Sequence, residues 1–283
     1  NGRGYGLQSM AMAMVKKRGK RIEWVVGEHI LHCDNCGAER IMQKKMSSQC
    51  PFCGSKNVLQ SDVLDSFQQP DGVVPFRVTK QKAHETLETA LNSRFERFKG
   101  MFVNNAIERI VYTPVYVPFW YFDAVLQVSK TIRDDRARYG SDGAYQRNEF
   151  TEMAHNVPIA GVQSPAPKSL AKIMPYQMDT VRPYNPALLS QYQAEIYSTD
   201  FDKASLDARE KIATDMRFKH GHSVESVENY SVHVQCLFQQ ISFRLVLLPV
   251  VVATILEKDG DVRPALINGQ TAKVTMGRAR KPD

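Results

Sequence analysis

Hydrophobic residues recur at helical spacing in three stretches of the chain. Thr79 is suited to cap a helix whose apolar face repeats every three or four residues, at Ala83, Leu87, Leu91, Phe95 and Phe98. A second helix is predicted over about 201–219, with an apolar face formed by Ala204, Ala208, Ile212 and Met216. Asn185-Pro186 is typical of an N-cap followed by proline, and predicts a third helix that directs inward Leu189, Tyr192 and Ile196.

Strand patterns dominate the rest of the chain. Residues 111–123 are rich in β-branched and aromatic side chains, and Pro114 and Pro118 place this strand at an edge or a bulge; residues 124–132 continue as an extended segment. Residues 224–238 alternate, and 241–256 form a buried apolar run. Asp259-Gly260 and Asn268-Gly269 predict the turns of an antiparallel meander with strands at 244–257, 262–267 and 270–276.

Two segments lack a clear period. Residues 60–69 are polar and predict a linker, and 133–183 contain many Gly and Pro residues. Within the second segment, residues 133–150 predict a long surface loop or hairpin. The two halves of the chain show a weak similarity, since each contains a helix and a strand. This similarity predicts a duplicated helix-on-sheet unit covering 70–132 and 185–278.

Four cysteines form two Cys-x-x-Cys pairs. Cys33 and Cys36 are followed by Gly37, and Cys50 and Cys53 are followed by Gly54. Two such knuckles supply four sulfurs in a tetrahedron about 2.3 Å from a zinc ion, and this spacing is a strong zinc-ribbon signal. Because four protein ligands close the coordination sphere, the predicted zinc is structural and not catalytic.

Three alternatives to zinc remain open at the level of sequence. Disulfides would require an oxidising compartment, and a thioredoxin-like pair would explain one Cys-x-x-Cys but not the other. An iron centre of the same geometry fits the spacing equally well. His29 and His32 are interpreted as hairpin residues, Cys236 as a buried small hydrophobe, and His220-Gly221-His222 as a helix C-terminus.

These patterns predict an α+β fold: an N-terminal four-cysteine zinc ribbon, followed by an antiparallel-sheet domain with packed helices. The predicted boundaries are a basic arm over 1–28, the zinc ribbon over 29–60 and the α+β body over 70–278. The length of 283 residues and the 43% hydrophobic and 24% charged content are globular, so disorder, collagen and coiled coil are excluded.

The net charge of +7 comes from the N-terminal arm. Residues 1–22 contain no acid and six basic residues, and the remaining chain has 31 basic against 30 acidic residues. Five of the six cluster as the predicted partner-binding or nucleic-acid-binding set, Lys16, Lys17, Arg18, Lys20 and Arg21. An acid-free basic segment is also typical of a mitochondrial targeting sequence or of a solvated tail. The longest apolar run, 245–256, is too short to predict a transmembrane segment.

Catalytic motifs are missing from the sequence. It has no phosphate-binding loop, no Gly-x-Ser-x-Gly, no His-Glu-x-x-His and no dinucleotide fingerprint. The aromatic residues of 112–122 are interpreted as core and not as a base-stacking surface. An enzyme would need a site assembled from distant residues such as Asp123, His155 and His233.

The combination of motifs resembles bacterial zinc-ribbon proteins, often labelled as primosomal protein N-prime (replication factor Y) helicase-like or as transcription-factor-B-type zinc ribbons. The shared segments are the Cys-x-x-Cys-Gly and Cys-Pro-Phe-Cys-Gly knuckles with 70–76, 116–123, 247–250 and 268–274. The resemblance implies zinc at Cys33, Cys36, Cys50 and Cys53 and no established reaction, since the helicase motifs are missing. The chain departs from it at Ala272, where the family usually has Gly, and at Val251, where an aromatic is frequent.

The sequence therefore predicts a non-enzymatic scaffold with one structural Zn²⁺, an accessory or assembly subunit of a larger protein or ribonucleoprotein complex. A reducing intracellular compartment is expected, the mitochondrial matrix or otherwise the cytoplasm. The alternative is a nucleic-acid-binding zinc-ribbon protein that contacts RNA or DNA through the basic arm and the ribbon.

Overall fold

A computed structural model describes residues 15–17, 23–24, 29–42, 50, 52, 58–62, 67–97, 107–134, 145–185, 187, 191–221 and 230–281. The strands in these ranges are β1 (Val15–Lys17), β2 (Glu23–Trp24), β3 (His29–Cys33), β4 (Glu39–Met42), β5 (Val58–Asp62), β6 (Phe67–Gln68), β7 (Gly72–Val73), β8 (Ile107–Asp134), β9 (Tyr145–Ala160), β10 (Arg182–Pro183), β11 (Gln193–Glu195), β12 (Tyr230–Glu257), β13 (Val262–Asn268) and β14 (Val274–Met276). The helices are α1 (Lys80–Arg97), α2 (Pro167–Lys172) and α3 (Phe201–Gly221), with a 3₁₀ turn at Met178–Thr180.

The predicted α+β class with an antiparallel sheet is wrong. Strands make up 50% and helices 23% of the structure, so the fold is dominated by sheet. Twelve strands join one mixed sheet, in which β1 and β7 run parallel to β12, and β11 runs parallel to β8. The error has a physical cause. Strands β1, β7 and β11 pair with partners that are far away in sequence, and a strand of two or three residues is too short to show an alternation of apolar and polar residues.

The chain divides into two compact units that are interleaved in sequence. The first unit consists of Asn1–Lys20, Trp120–Ile159 and Phe201–Arg244. Here β9, β8, β12 and β1 are neighbours in that order, and β1 pairs with Ile241–Phe243. Helix α3 buries Ala204, Ala208, Ile212 and Met216, as the sequence predicted. Aromatic rings fill the core, and the centroids of Phe201 and Phe243 are 4.3 Å apart.

The second unit consists of Arg21–Phe119, Ala160–Asp200 and Leu245–Asp283. Helix α1 begins after Thr79, whose hydroxyl accepts a hydrogen bond from the Lys82 N–H at 3.2 Å and confirms the predicted cap. The helix packs three buried residues, Ala83, Leu87 and Leu91, on β12 and β13. The small separate pair β2–β6 also belongs to this unit. No helix in the described ranges has both the length and the apolar character needed to cross a membrane.

Several predicted elements are confirmed and others are wrong. The meander is confirmed as β12, β13 and β14 in antiparallel order, but its third strand begins at Val274 and not at residue 270. The linker predicted over 60–69 is wrong at 60–62 and 67–68, which belong to β5 and β6. The aromatic segment of β8 is core, since residues 115–122, except Pro118, are at most 3% exposed. The helix predicted from Asn185 is wrong at 193–195, which is strand β11. Residues 145–160 form strand β9, which pairs with β8, so of the two predictions for 133–150 the hairpin fits and the surface loop is wrong at 145–150. The first five residues of β9 are exposed on both faces and therefore show no alternation.

The turn after β13 contains an alanine in a conformation that favours glycine. Ala272 has φ +63°, and its N–H donates to the Asn268 carbonyl oxygen at 2.9 Å. Gly269 in the same turn is required for a different reason: a Cβ there would lie 2.7 Å from the Phe76 ring and 2.8 Å from Pro249. The left-handed conformation costs an L-residue about 1–2 kcal/mol, and glycine avoids this cost.

We therefore expect Ala272→Gly to raise the free energy of unfolding by about 0.5–1 kcal/mol, since relief of strain exceeds the added entropy of the unfolded chain. Urea denaturation measures the change. Ala171→Gly is the matched control, because Ala171 is exposed inside helix α2, where glycine only adds freedom to the unfolded chain. The control should lose about 0.4–1 kcal/mol. A loss in both variants would contradict the strain assigned to Ala272.

Candidate metal centre

The first predicted knuckle is a tight β-hairpin turn between β3 and β4. Cys33 ends β3, and its carbonyl oxygen accepts the Gly37 N–H at 2.8 Å, while its own N–H donates to the Ala38 carbonyl at 3.0 Å. Gly37 adopts φ +70°, which glycine tolerates without a Cβ clash. The turn therefore brings the Cys33 and Cys36 side chains to the same end of the hairpin.

Cys50 completes a cluster of three sulfurs. The Sγ atoms of Cys33, Cys36 and Cys50 all lie within 4.8 Å of one another, and those of Cys36 and Cys50 are 3.6 Å apart. A disulfide would require about 2.05 Å, so Cys36 and Cys50 are not bridged. In a tetrahedron with sulfur about 2.3 Å from zinc, neighbouring sulfurs are about 3.8 Å apart. The observed spacing therefore fits metal ligation and not a cystine.

The environment of the sulfurs favours a shielded site. Cys33 and Cys50 are each 2% exposed, and Phe52 and Ala38 beside them are each 4% exposed. Thiolates are soft ligands that select zinc, copper(I) or iron–sulfur centres over magnesium or calcium. The three cysteines could thus hold one soft metal ion. In the part of the chain that the structure describes, no other group of three His, Cys, Asp or Glu residues offers a metal site.

Cys53, the fourth predicted ligand, lies outside the described residues. Cys236 lies in β12 and takes no part in the cluster; burial raises the pKa of its thiol, although the Arg217 charge lowers it. A raised pKa makes a thiol a poorer metal ligand at neutral pH. It is half-buried, less enclosed than predicted.

The predicted histidines lie where the sequence placed them. His29 and His32 both belong to β3, and Nδ1 of His32 lies 3.1 Å from Oε1 of Glu39. His220 lies in the last turn of α3, which ends at Gly221, and His222 is outside the described residues.

The basic cluster is only partly described. Lys16 and Lys17 belong to β1, opposite Ser242 and Phe243 of β12, and among the strands that the structure describes β1 pairs with β12 alone, at an edge of the sheet. Arg18, Lys20 and Arg21 lie outside the described residues.

Strands β3, β4 and β5 form a small lobe that carries Cys33 and Cys36, and this lobe is hydrogen-bonded to the sheet of the second unit. β3 pairs antiparallel with β4 and β5, and β4 pairs with β11 through Ile41 opposite Ala194. The Ile196 N–H also donates to the Glu39 carbonyl at 3.1 Å. Since β11 pairs in turn with β8, the hairpin that carries Cys33 and Cys36 is continuous with the sheet. Sequence reasoning missed β11, because three residues are too few to show a period.

The distant residues proposed for an enzyme site come together only in part. Nδ1 of His155 lies 3.6 Å from the Asp123 carboxylate, which also accepts the Asn156 N–H at 2.9 Å. Asn156 has φ +53°, so the Asp123 carboxylate stabilises a left-handed backbone conformation within β9. The His155 side chain is 62% exposed, and His233 lies in β12 outside this contact. The pair is thus explained by its role in the backbone of β9.

Comparison with known proteins gives one informative similarity. The chain is 26% identical over 229 residues to an uncharacterized protein, YdjG, of Bacillus subtilis (strain 168). The match covers 76% of this chain and 65% of that protein, so the chain spans less than two thirds of the length of this relative. No protein-family profile matches the chain, and no solved structure matches it. The resemblance to bacterial zinc-ribbon proteins stays a prediction.

Proposed function

We propose that the chain is a non-catalytic zinc-binding scaffold, an accessory or assembly subunit of a larger intracellular complex. The observation that supports this proposal most directly is the sulfur cluster of Cys33, Cys36 and Cys50. In this proposal Cys53 supplies the fourth thiolate, since its spacing from Cys50 repeats that of Cys36 from Cys33. Four thiolates around zinc leave no position for water or substrate, so the ion holds structure and performs no chemistry.

The attachment of the lobe supports a scaffold role. Strands β3, β4 and β5 are too few to bury a core of their own, and a metal replaces the missing apolar burial. Because β4 is hydrogen-bonded to β11, a metal-ordered lobe extends the sheet of the second unit as a fixed surface. The site requires reduced thiols, which supports a reducing compartment, the mitochondrial matrix or the cytoplasm.

A second candidate function is nucleic-acid binding, favoured by the position of β1. The register of β1 with β12 places Lys16 and Lys17 on a sheet edge, and three further basic residues follow them within four positions. Basic residues on a strand can follow a phosphate backbone, with strong dependence on salt. The body contributes little, since its charge is nearly balanced.

Purification of the tagged full chain from its native cells separates these two functions. The scaffold predicts partner proteins at fixed stoichiometry that resist nuclease and moderate salt, and their loss in Cys33→Ser/Cys36→Ser. Cys236→Ser is the matched control and should keep them. Recovery of RNA or DNA that is lost with modest salt, and with Lys16→Gln/Lys17→Gln, would overturn the scaffold in favour of the second function.

A further inference from the structure

The first unit has a long strand with an open edge. In the ranges that the structure describes, β9 pairs with β8 and with no other strand. Residues 145–149 are exposed on both faces of the strand, and Tyr145 is 53% exposed. An edge strand presents a row of backbone N–H and C=O groups, so this stretch is a template for a further strand.

The charges on this edge are of both signs and lie on one face. The Arg147 guanidinium donates to the Ser129 hydroxyl of β8 at 3.0 Å, and the Thr151 hydroxyl lies 3.4 Å from the Gln127 amide oxygen, so residues 147 and 151 share a face. Glu149 lies between them on that face, with its carboxylate 2.5 Å from the Arg147 guanidinium. Charges of a single sign would repel the same charges on a second copy of the strand. Opposite charges two residues apart can instead pair with each other across two antiparallel copies.

We propose that β9 pairs antiparallel with β9 of a second copy of this chain, about a two-fold axis that runs midway between the two Asn148 residues. In this register Arg147 lies opposite Glu149 of the second copy, and Glu149 lies opposite Arg147 of the second copy. Gln146 then faces Phe150, and Tyr145 faces Thr151. All seven positions, 145–151, are described residues, and the pairing is isologous, as a two-fold dimer requires.

The charges select this register over its neighbours. If the axis ran between the two copies of residue 147, two arginines would be directly opposite each other, and between the two copies of residue 149 two glutamates would be. Like charges directly opposite are destabilising, and opposite charges stabilise a cross-strand pair. Because directly opposite residues share a face, the polar face that carries Arg147 and Glu149 is continuous across the dimer.

Charge reversal tests the pairing in the full chain. The wild type should dimerise in a sedimentation concentration series. Arg147→Glu and Glu149→Arg should each raise the dimer dissociation constant about tenfold or more, since two symmetry-related pairs become repulsive. The double variant Arg147→Glu/Glu149→Arg restores both pairs and should restore the dimer. Lys203→Glu is the matched control, because Lys203 is exposed and forms its ion pair with Asp207 inside helix α3, and this variant should dimerise normally.

Oxidative cross-linking tests the register independently. Directly opposite residues have Cα atoms about 4.5–5.5 Å apart, within disulfide range, so Asn148→Cys should form a covalent dimer. In Gln146→Cys the two new cysteines would be about 14 Å apart, an offset of four residues, and should not cross-link. A wild type that is monomeric throughout, a dimer insensitive to both reversals, or equal cross-linking at 146 and 148 would each overturn the proposal.

Discussion

Replacing Asn268 by alanine is expected to lower the free energy of unfolding by about 4 kcal/mol. Asn268 ends β13 and is fully buried. Its amide nitrogen donates to the Ile173 carbonyl at 2.8 Å, and its amide oxygen accepts the N–H groups of Gln270 and Thr271 at 2.8 and 2.9 Å. Alanine would leave all three groups without this partner, and each buried group left unsatisfied costs about 1–3 kcal/mol.

The contribution of Asn268 lies in joining two segments. The loop after α2 carries Ile173, and the turn after β13 carries Gln270, whose side-chain oxygen accepts the Gln177 N–H at 2.7 Å. The Tyr176 hydroxyl donates to the Pro249 carbonyl at 2.9 Å in the same region. A residue with both a donor and an acceptor is needed at position 268, so aspartate should not replace asparagine.

Urea denaturation followed by circular dichroism measures the loss. Asn185→Ala is the matched control, since Asn185 is exposed and its side-chain oxygen accepts the Ala187 N–H at 2.9 Å. The control should lose about 1 kcal/mol or less. Equal losses in the two variants would show that the buried network does not stabilise the fold.

The parts of the fold that sequence predicts are those with many residues in a regular environment. Helices α1 and α3 bury one face at a spacing of 3.6 residues, and the meander of β12, β13 and β14 has glycine turns between apolar strands. These elements are local, so the pattern and the fold agree. For the start of β9 the sequence leaves a hairpin and a surface loop both open, because its first five residues are exposed on both faces and a strand without a buried face has no alternation.

The parallel strand pairings could not be predicted from the sequence for a related reason. β7 and β11 have two and three residues, and each depends on a long strand that lies far along the chain. Their pairing is decided by packing, as in the contact of buried Val73, Ala194 and Leu247 in one core cluster. The cysteine cluster could be predicted because two Cys-x-x-Cys pairs at this separation are a local pattern that can bring their sulfurs together.

Replacing Cys50 by serine is expected to produce the second large effect, loss of bound zinc with local unfolding of the lobe. Cys50 alone among the described residues brings sulfur from outside the hairpin to Cys33 and Cys36. Its sulfur is buried and lies 3.6 Å from that of Cys36. Loss of an outer-shell partner of a metal ligand costs about 10–100-fold in affinity, and loss of a direct ligand should exceed about 100-fold.

Competition with a chromophoric chelator gives the zinc affinity, and hydrogen exchange of the amides in β3 and β4 reports the order of the lobe. We expect exchange in β3 to accelerate in Cys50→Ser while α1 and β13 stay protected, because zinc binding contributes on the order of 10 kcal/mol to folding of zinc-finger peptides and acts only where it is bound. Cys236→Ser is the matched control and should keep one zinc and the protection of β3. If Cys50→Ser retained a full equivalent of zinc at unchanged affinity, the sulfur cluster would not be the metal centre, and the proposed zinc-binding scaffold would be contradicted.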